Sequence, residues 1–134
     1  PMGADLLVIE QLDAGARFIR DFNSFAPVAV ACWLQPAATD NLFLYIASDA
    51  IDDTNLATAY REVLRRLKAK HFGPLSPFQV KLINSADPIA KEASAVRDRY
   101  AATAVGVFPG TSIGGLAIDA AYIYPPLPAL QTSP

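Results

Sequence analysis

Cys32 is the only cysteine and His71 the only histidine in the chain, so any thiolate–imidazole chemistry would have to bring these two together. Their settings argue against it. Cys32 sits in the apolar run Val28-Ala29-Val30-Ala31-Cys32-Trp33-Leu34, where a thiol is a small inert hydrophobe. His71 follows Lys70 at the end of a helical pattern, where a basic side chain complements the helix dipole. One cysteine and one histidine exclude an intramolecular disulfide, a cysteine-based zinc cluster and a histidine-rich metal site within one chain. Asp49, Asp52 and Asp53 gather where a strand hands over to a helix, and such carboxylates could hold a hard cation such as Mg²⁺. Helix capping and dipole compensation explain them more simply. Gln79-Val80-Lys81 carries glutamine where the acid-and-lysine constellation of a metal-dependent nuclease needs a carboxylate. No catalytic residue, metal or cofactor is therefore assigned.

The only glycine-rich loop is Pro109-Gly110-Thr111-Ser112-Ile113-Gly114-Gly115. Backbone donors of Gly110, Thr111, Ser112, Gly114 and Gly115, with two hydroxyls, form a candidate anion cradle. The loop lacks the Gly-Lys-Ser/Thr ending of a P-loop and does not match the dinucleotide fingerprint, so a strand-connecting turn is the simpler reading. Arg61, Arg65, Arg66, Lys68 and Lys70 read as a solvated helix face with Glu62 pairing at i+3 and i+4. Pro125-Pro126-Leu127-Pro128 fits the loose proline-ligand pattern but reads first as an extended chain exit.

The elements that would position these residues follow from hydrophobic period. Ile9, Leu12, Ala16 and Ile19 recur at helical spacing and predict a helix from Asp5 to about Phe22, with Gly15 a place where it could break in two. Val28–Leu34 and Leu42–Ala47 read as strands joined by a turn too short for a parallel crossover, hence an antiparallel hairpin. Leu56, Tyr60, Val63, Leu64 and Leu67 predict a second helix with that stripe toward the sheet and Arg65 and Arg66 outward. Gly73-Pro74 ends it. Phe78, Val80 and Leu82 alternate with Gln79 and Lys81 as in a strand open to water on one side. Asp87-Pro88 opens a third helix running to about Tyr100, and one or two strands between Thr103 and Tyr124 close the fold. The expected class is α+β: a mainly antiparallel four- to five-stranded sheet with about three helices packed on one face, in the order α-β-β-α-β-α-β(β). A single domain over 4–124 and a proline-rich tail over 125–134 are expected, with Pro1 ahead of Met2 left out of the fold.

Hydrophobic residues make up 52 % of the 134 and charged residues 18 %, enough to fold by burial. There is no apolar run of spanning length and no signal-peptide pattern, so a cytoplasmic protein without membrane contact is expected. The formal net charge of −2 makes nucleic acid a poor partner. The first two strands are apolar on both sides, and helices on one face alone would leave the other bare. A face bearing Trp33, Phe43, Tyr45, Tyr122 and Tyr124 is thus the candidate interface or ligand surface. A homodimer is the simplest occupant and another protein partner the next. The rival reading is a small-molecule-binding protein or enzyme with a pocket between those aromatics and the 109–115 loop.

Trp33-Leu34, Tyr45-Ile46-Ala47-Ser48, Val80-Lys81-Leu82-Ile83 before Asp87-Pro88, and the closing Ala121-Tyr122-Ile123-Tyr124 together resemble a family of small bacterial hypothetical proteins with no assigned activity. The likeness spans most of the chain, though the long first helical segment departs from it. The resemblance implies a compact stand-alone bacterial domain, and the apolar sheet face makes a small interaction or regulatory module the leading functional expectation. The resemblance lends no catalytic residue.

Overall fold

The computed structural model describes residues 2–99, 106–107 and 112–127, with side chains over 9–99 and 112–127. The elements are α1 (Met2–Phe22), β1 (Val30–Pro36), β2 (Phe43–Ser48), α2 (Leu56–Ala69), a 3₁₀ turn (Pro77–Gln79), β3 (Val80–Asn84), α3 (Pro88–Arg99), β4 (Gly106–Val107), β5 (Ser112–Ile113) and β6 (Leu116–Ile123). This is the expected α+β class. Along the sheet the strands run β3-β2-β1-β6-β4, and β5 pairs with the start of β6 as a short hairpin. The β1–β2, β1–β6, β4–β6 and β5–β6 pairs are antiparallel. The β2–β3 pair is parallel, which corrects the hairpin-dominated expectation to a mixed sheet. Its cause is α2: a strand-helix-strand connection returns the chain to the end it left, so the second strand lies parallel to the first.

Both faces of the sheet are covered, against the expectation of helices on one. Phe18, Ile19 and Phe22 of α1 and Ala59 and Val63 of α2 bury Ala31, Trp33, Leu44, Ile46, Val80 and Leu82. On the opposite face Ala90 and Ala93 of α3, with Ile113 and Ile118, bury Val30, Cys32, Leu34, Ala47, Ala121 and Ile123. Alanines let α3 lie close to the sheet, so one short helix and a hairpin cover a face for which three helices looked too few. The double-sided apolarity of β1 reports a three-layer arrangement and not a bare surface.

α1 is continuous through Gly15. A Cβ there would lie 2.5 Å from the Tyr124 hydroxyl and 2.8 Å from the Trp33 indole nitrogen. Glycine lets the helix backbone touch this buried pair. Trp33 Nε1 donates to Tyr124 Oη (2.9 Å), which donates to the Leu12 carbonyl (2.5 Å) and so ties β1 and the end of β6 to α1.

α2 packs by most of the expected stripe, with Val63 buried and Leu56, Tyr60 and Leu67 partly buried against the core, and Leu64 departs from it. Ala59 is buried as well, while Leu64 is 45 % exposed. Arg66, expected outward, has a side chain only 17 % exposed because it reaches α1 and bonds the Asp21 carboxylate and main-chain carbonyl. The chain beyond β6 stays on the body of the protein as far as it is described, with Pro125 buried and Leu127 packed on the α1–α2 core. No helix among the described residues is long and apolar enough to cross a membrane.

Candidate partner-binding groove

Phe78 is 87 % exposed, the most exposed large apolar side chain among the described residues. It is held in place by local chemistry. Ser76 caps the Pro77–Gln79 turn by accepting from the Phe78 amide (3.2 Å), and Gln79 Oε1 reaches back to the Ser76 amide (3.0 Å). Pro77 fills the first position, where no amide donor is needed. Two orphan donors are thereby satisfied and the ring projects from a rigid turn at the entrance to β3.

The ring borders an open groove of about 410 Å³, lined also by Gln11 of α1, by Asp40, Asn41, Leu42 and Phe43 leading into β2, and by Gln79. Its walls are braced. Gln35 Nε2 donates to the Thr39 carbonyl (2.7 Å) and Thr39 Oγ1 to the Pro36 carbonyl (2.9 Å). Ala38, in the left-handed region at φ 64°, donates its amide to Asp119 Oδ2 of β6 (3.1 Å). Lys81 Nζ lies 5.0 Å from the Phe43 ring centre, a cation held against one of the lining aromatics. β3 is an edge strand, and the Tyr60 hydroxyl accepts from the Leu82 amide (3.0 Å), which blunts that edge. The groove offers apolar contact, a rim of amides and the Asp40 carboxylate. That is binding chemistry, with no nucleophile–base pair in it.

The five aromatic residues singled out from the sequence do not form one surface. Trp33 and Tyr124 are buried against α1, and Tyr122, half-buried, lies on that same face. Tyr45 packs toward α3 on the opposite face. Only Phe43 lines the groove. Among the described residues, Trp33, Tyr122 and Tyr124 lie on the face opposite the one on which Ile113 packs. Gly110 and Thr111 lie outside the described residues. Ser112 is exposed, and Gly114 and Gly115 make the β5–β6 turn at positive φ. The Gly114 amide donates to Glu92 Oε1 (2.6 Å), and a Cβ there would stand 2.3 Å from the Ile89 backbone nitrogen. The turn is seated on the start of α3, and a carboxylate holds the donor that an anion would need.

Cys32 is buried on the α3 side and burial pushes its thiol up to about 12, far from thiolate chemistry, whereas His71 lies exposed beside the end of α2. Asp49 accepts a hydrogen bond from Ser85, and Asp52 accepts from the Thr54 amide and hydroxyl. The described residues contain no group of three histidines, cysteines or carboxylates arranged to hold a metal.

Sequence reasoning missed Phe78 as a site residue because its alternation with Val80 and Leu82 suggested a buried position. The signal was present: Ser76-Pro77-Phe78-Gln79 is a capping box with proline at its first position, which takes Phe78 out of the strand. Comparison with protein families, curated proteins and solved structures returns no match.

Proposed function

We propose that the chain is a small interaction module that binds through the groove around Phe78, with a second copy of itself as the occupant. The observation that carries this reading is a phenylalanine 87 % exposed on a capped turn. A rigid exposed aromatic loses little conformational freedom on docking, and such residues dominate interface energetics. The groove is self-complementary: Phe78 is the knob and the space against Phe43 and Leu42 is the hole, so a two-fold-related copy would seat each ring in the other's groove. The sheet-face route to a dimer loses its basis, because α1, α2 and α3 cover both faces. The strand motifs shared with small bacterial hypothetical proteins support a stand-alone bacterial and cytoplasmic module. Amide exchange at low and high protein concentration tests the surface. Protection should rise at Leu42, Phe43, Phe78 and Gln79; a concentration-dependent rise confined to other residues would put the interface elsewhere.

A further inference from the structure

A second concavity lies where the C-terminal ends of α1 and α2 converge, and its character is electrostatic. One lobe, of about 420 Å³, is lined by Arg17, Arg20, Lys70 and His71 over the buried Phe72. The other, of about 320 Å³, is lined by Ser24, Arg65 and Arg66, and Asp21 and Lys70 border both. Arg66 is the pillar between the helices, bonded at once to Glu62 Oε2 (2.6 Å) and Asp21 Oδ1 (2.5 Å). The other cations stand in more open positions: the Arg65 side chain is 64 % and Lys70 68 % exposed. Among the described residues, five cations meet three carboxylates here, Asp13, Asp21 and Glu62, in a chain whose formal net charge is −2. The two helix C-termini together offset about one positive charge, which still leaves the cleft positive while the rest of the molecule is negative.

We propose that this cleft binds a phosphate group, free or carried on a small molecule. Arginine forks match phosphate oxygens two at a time, and lysine adds a mobile point charge. The Arg17–Asp13 pair is exposed on both sides, and Lys70, itself 68 % exposed, meets an Asp21 that Arg66 also holds, so both cations can turn to a dianion. Ser24 and His71 add hydrogen-bonding groups at the two ends, and Phe72 gives the floor an apolar underside. The site is independent of the Phe78 groove.

The test is titration of the ¹⁵N-labelled full chain with inorganic phosphate and, separately, with phenyl phosphate, against sodium chloride at matched ionic strength. Saturable shifts are expected at the Lys70, His71 and Phe72 amides and the Arg17 and Arg20 side-chain nitrogens. Equal saturation by both probes would mean that the phosphate alone is read; tighter binding of phenyl phosphate would mean that the cleft takes an ester. Lys70→Gln should weaken binding about tenfold, the loss of one charge-assisted hydrogen bond, in a chain still fully folded at the temperature of the titration. Lys91→Gln, which removes the same charge from exposed α3 surface, should leave binding unaltered. Linear shifts matching those of sodium chloride, saturable shifts at other residues, or equal weakening by Lys91→Gln would each overturn the assignment.

Discussion

Gly15, Trp33 and Tyr124 form one unit, and their energetics run against helix propensity. Alanine is about 1 kcal/mol better than glycine inside a helix, so propensity alone expects Gly15→Ala to stabilise. A methyl group 2.5 Å from the Tyr124 hydroxyl must instead displace a buried hydrogen-bonded pair, and overpacking of this kind costs about 1–3 kcal/mol. Chemical denaturation should therefore show Gly15→Ala destabilised. Tyr124→Phe leaves the Trp33 N–H buried without its acceptor, at about 1–3 kcal/mol. Combined, the two substitutions should cost less than their sum, because each relieves what the other offends. Acid stability has its own residues. Burial would raise the Asp21 carboxyl, but bonds from Lys70 and Arg66 outweigh it and hold the group below its ordinary value. Glu62 is held at about 2 by Arg65 and then Arg66. Both groups are depressed in the folded state, so their contribution is present above the ordinary carboxylate range and is lost as pH falls through their folded values. Asp21→Asn should flatten the fall in thermal midpoint between about pH 4.5 and pH 2 relative to wild type. An unchanged slope would mean that Asp21 titrates alike folded and unfolded.

The elements show where local pattern stops being informative. Strand type was legible from the β-branched and aromatic runs, and the start of α3 from Asp87-Pro88, where Asp87 Oδ1 accepts from the Ile89 amide (2.8 Å). The side on which each helix packs was not. α3 buries Ala90 and Ala93 fully and Ile89 and Val96 in part, a short stripe that does not say which side of the sheet it meets, so its place on the second side depends on distant partners. α2 has a clear stripe that meets the core as read except at Leu64, whereas the inward reach of Arg66 to Asp21 is a contact that no local window contains. Val63→Ala should cost about 2 kcal/mol from two buried methyl groups and the space they leave. Leu64→Ala, half in water, should cost less than about 1 kcal/mol. Arg66→Ala should cost about 1.5–3 kcal/mol through its charged hydrogen bonds, whereas the exposed Arg65 should cost about 0–1 kcal/mol. Equilibrium denaturation of the four variants gives the ranking, and Leu64→Ala costing more than Val63→Ala would contradict the facing of α2.

As a whole, the molecule is a mixed sheet covered on both sides by helices, and the groove proposed for recognition lies at the ends of elements and not on a sheet face. The sequence made the apolar strands visible but could not say that α3 covers their second side, and that step carried the aromatic-face reading with it. Phe43 belongs to the groove, while Trp33 and Tyr124 serve the core. Sedimentation equilibrium of the wild type beside Phe78→Ser tests the groove as a self-association surface most directly. The wild type should be a dimer at micromolar concentration. Phe78→Ser should be a monomer with a denaturation free energy within about 0.5 kcal/mol of the wild type measured as monomer, because a side chain already 87 % exposed has little folding energy to lose. A wild type that stays monomeric at high concentration, or a Phe78→Ser dimer as tight as the wild type, would contradict the account.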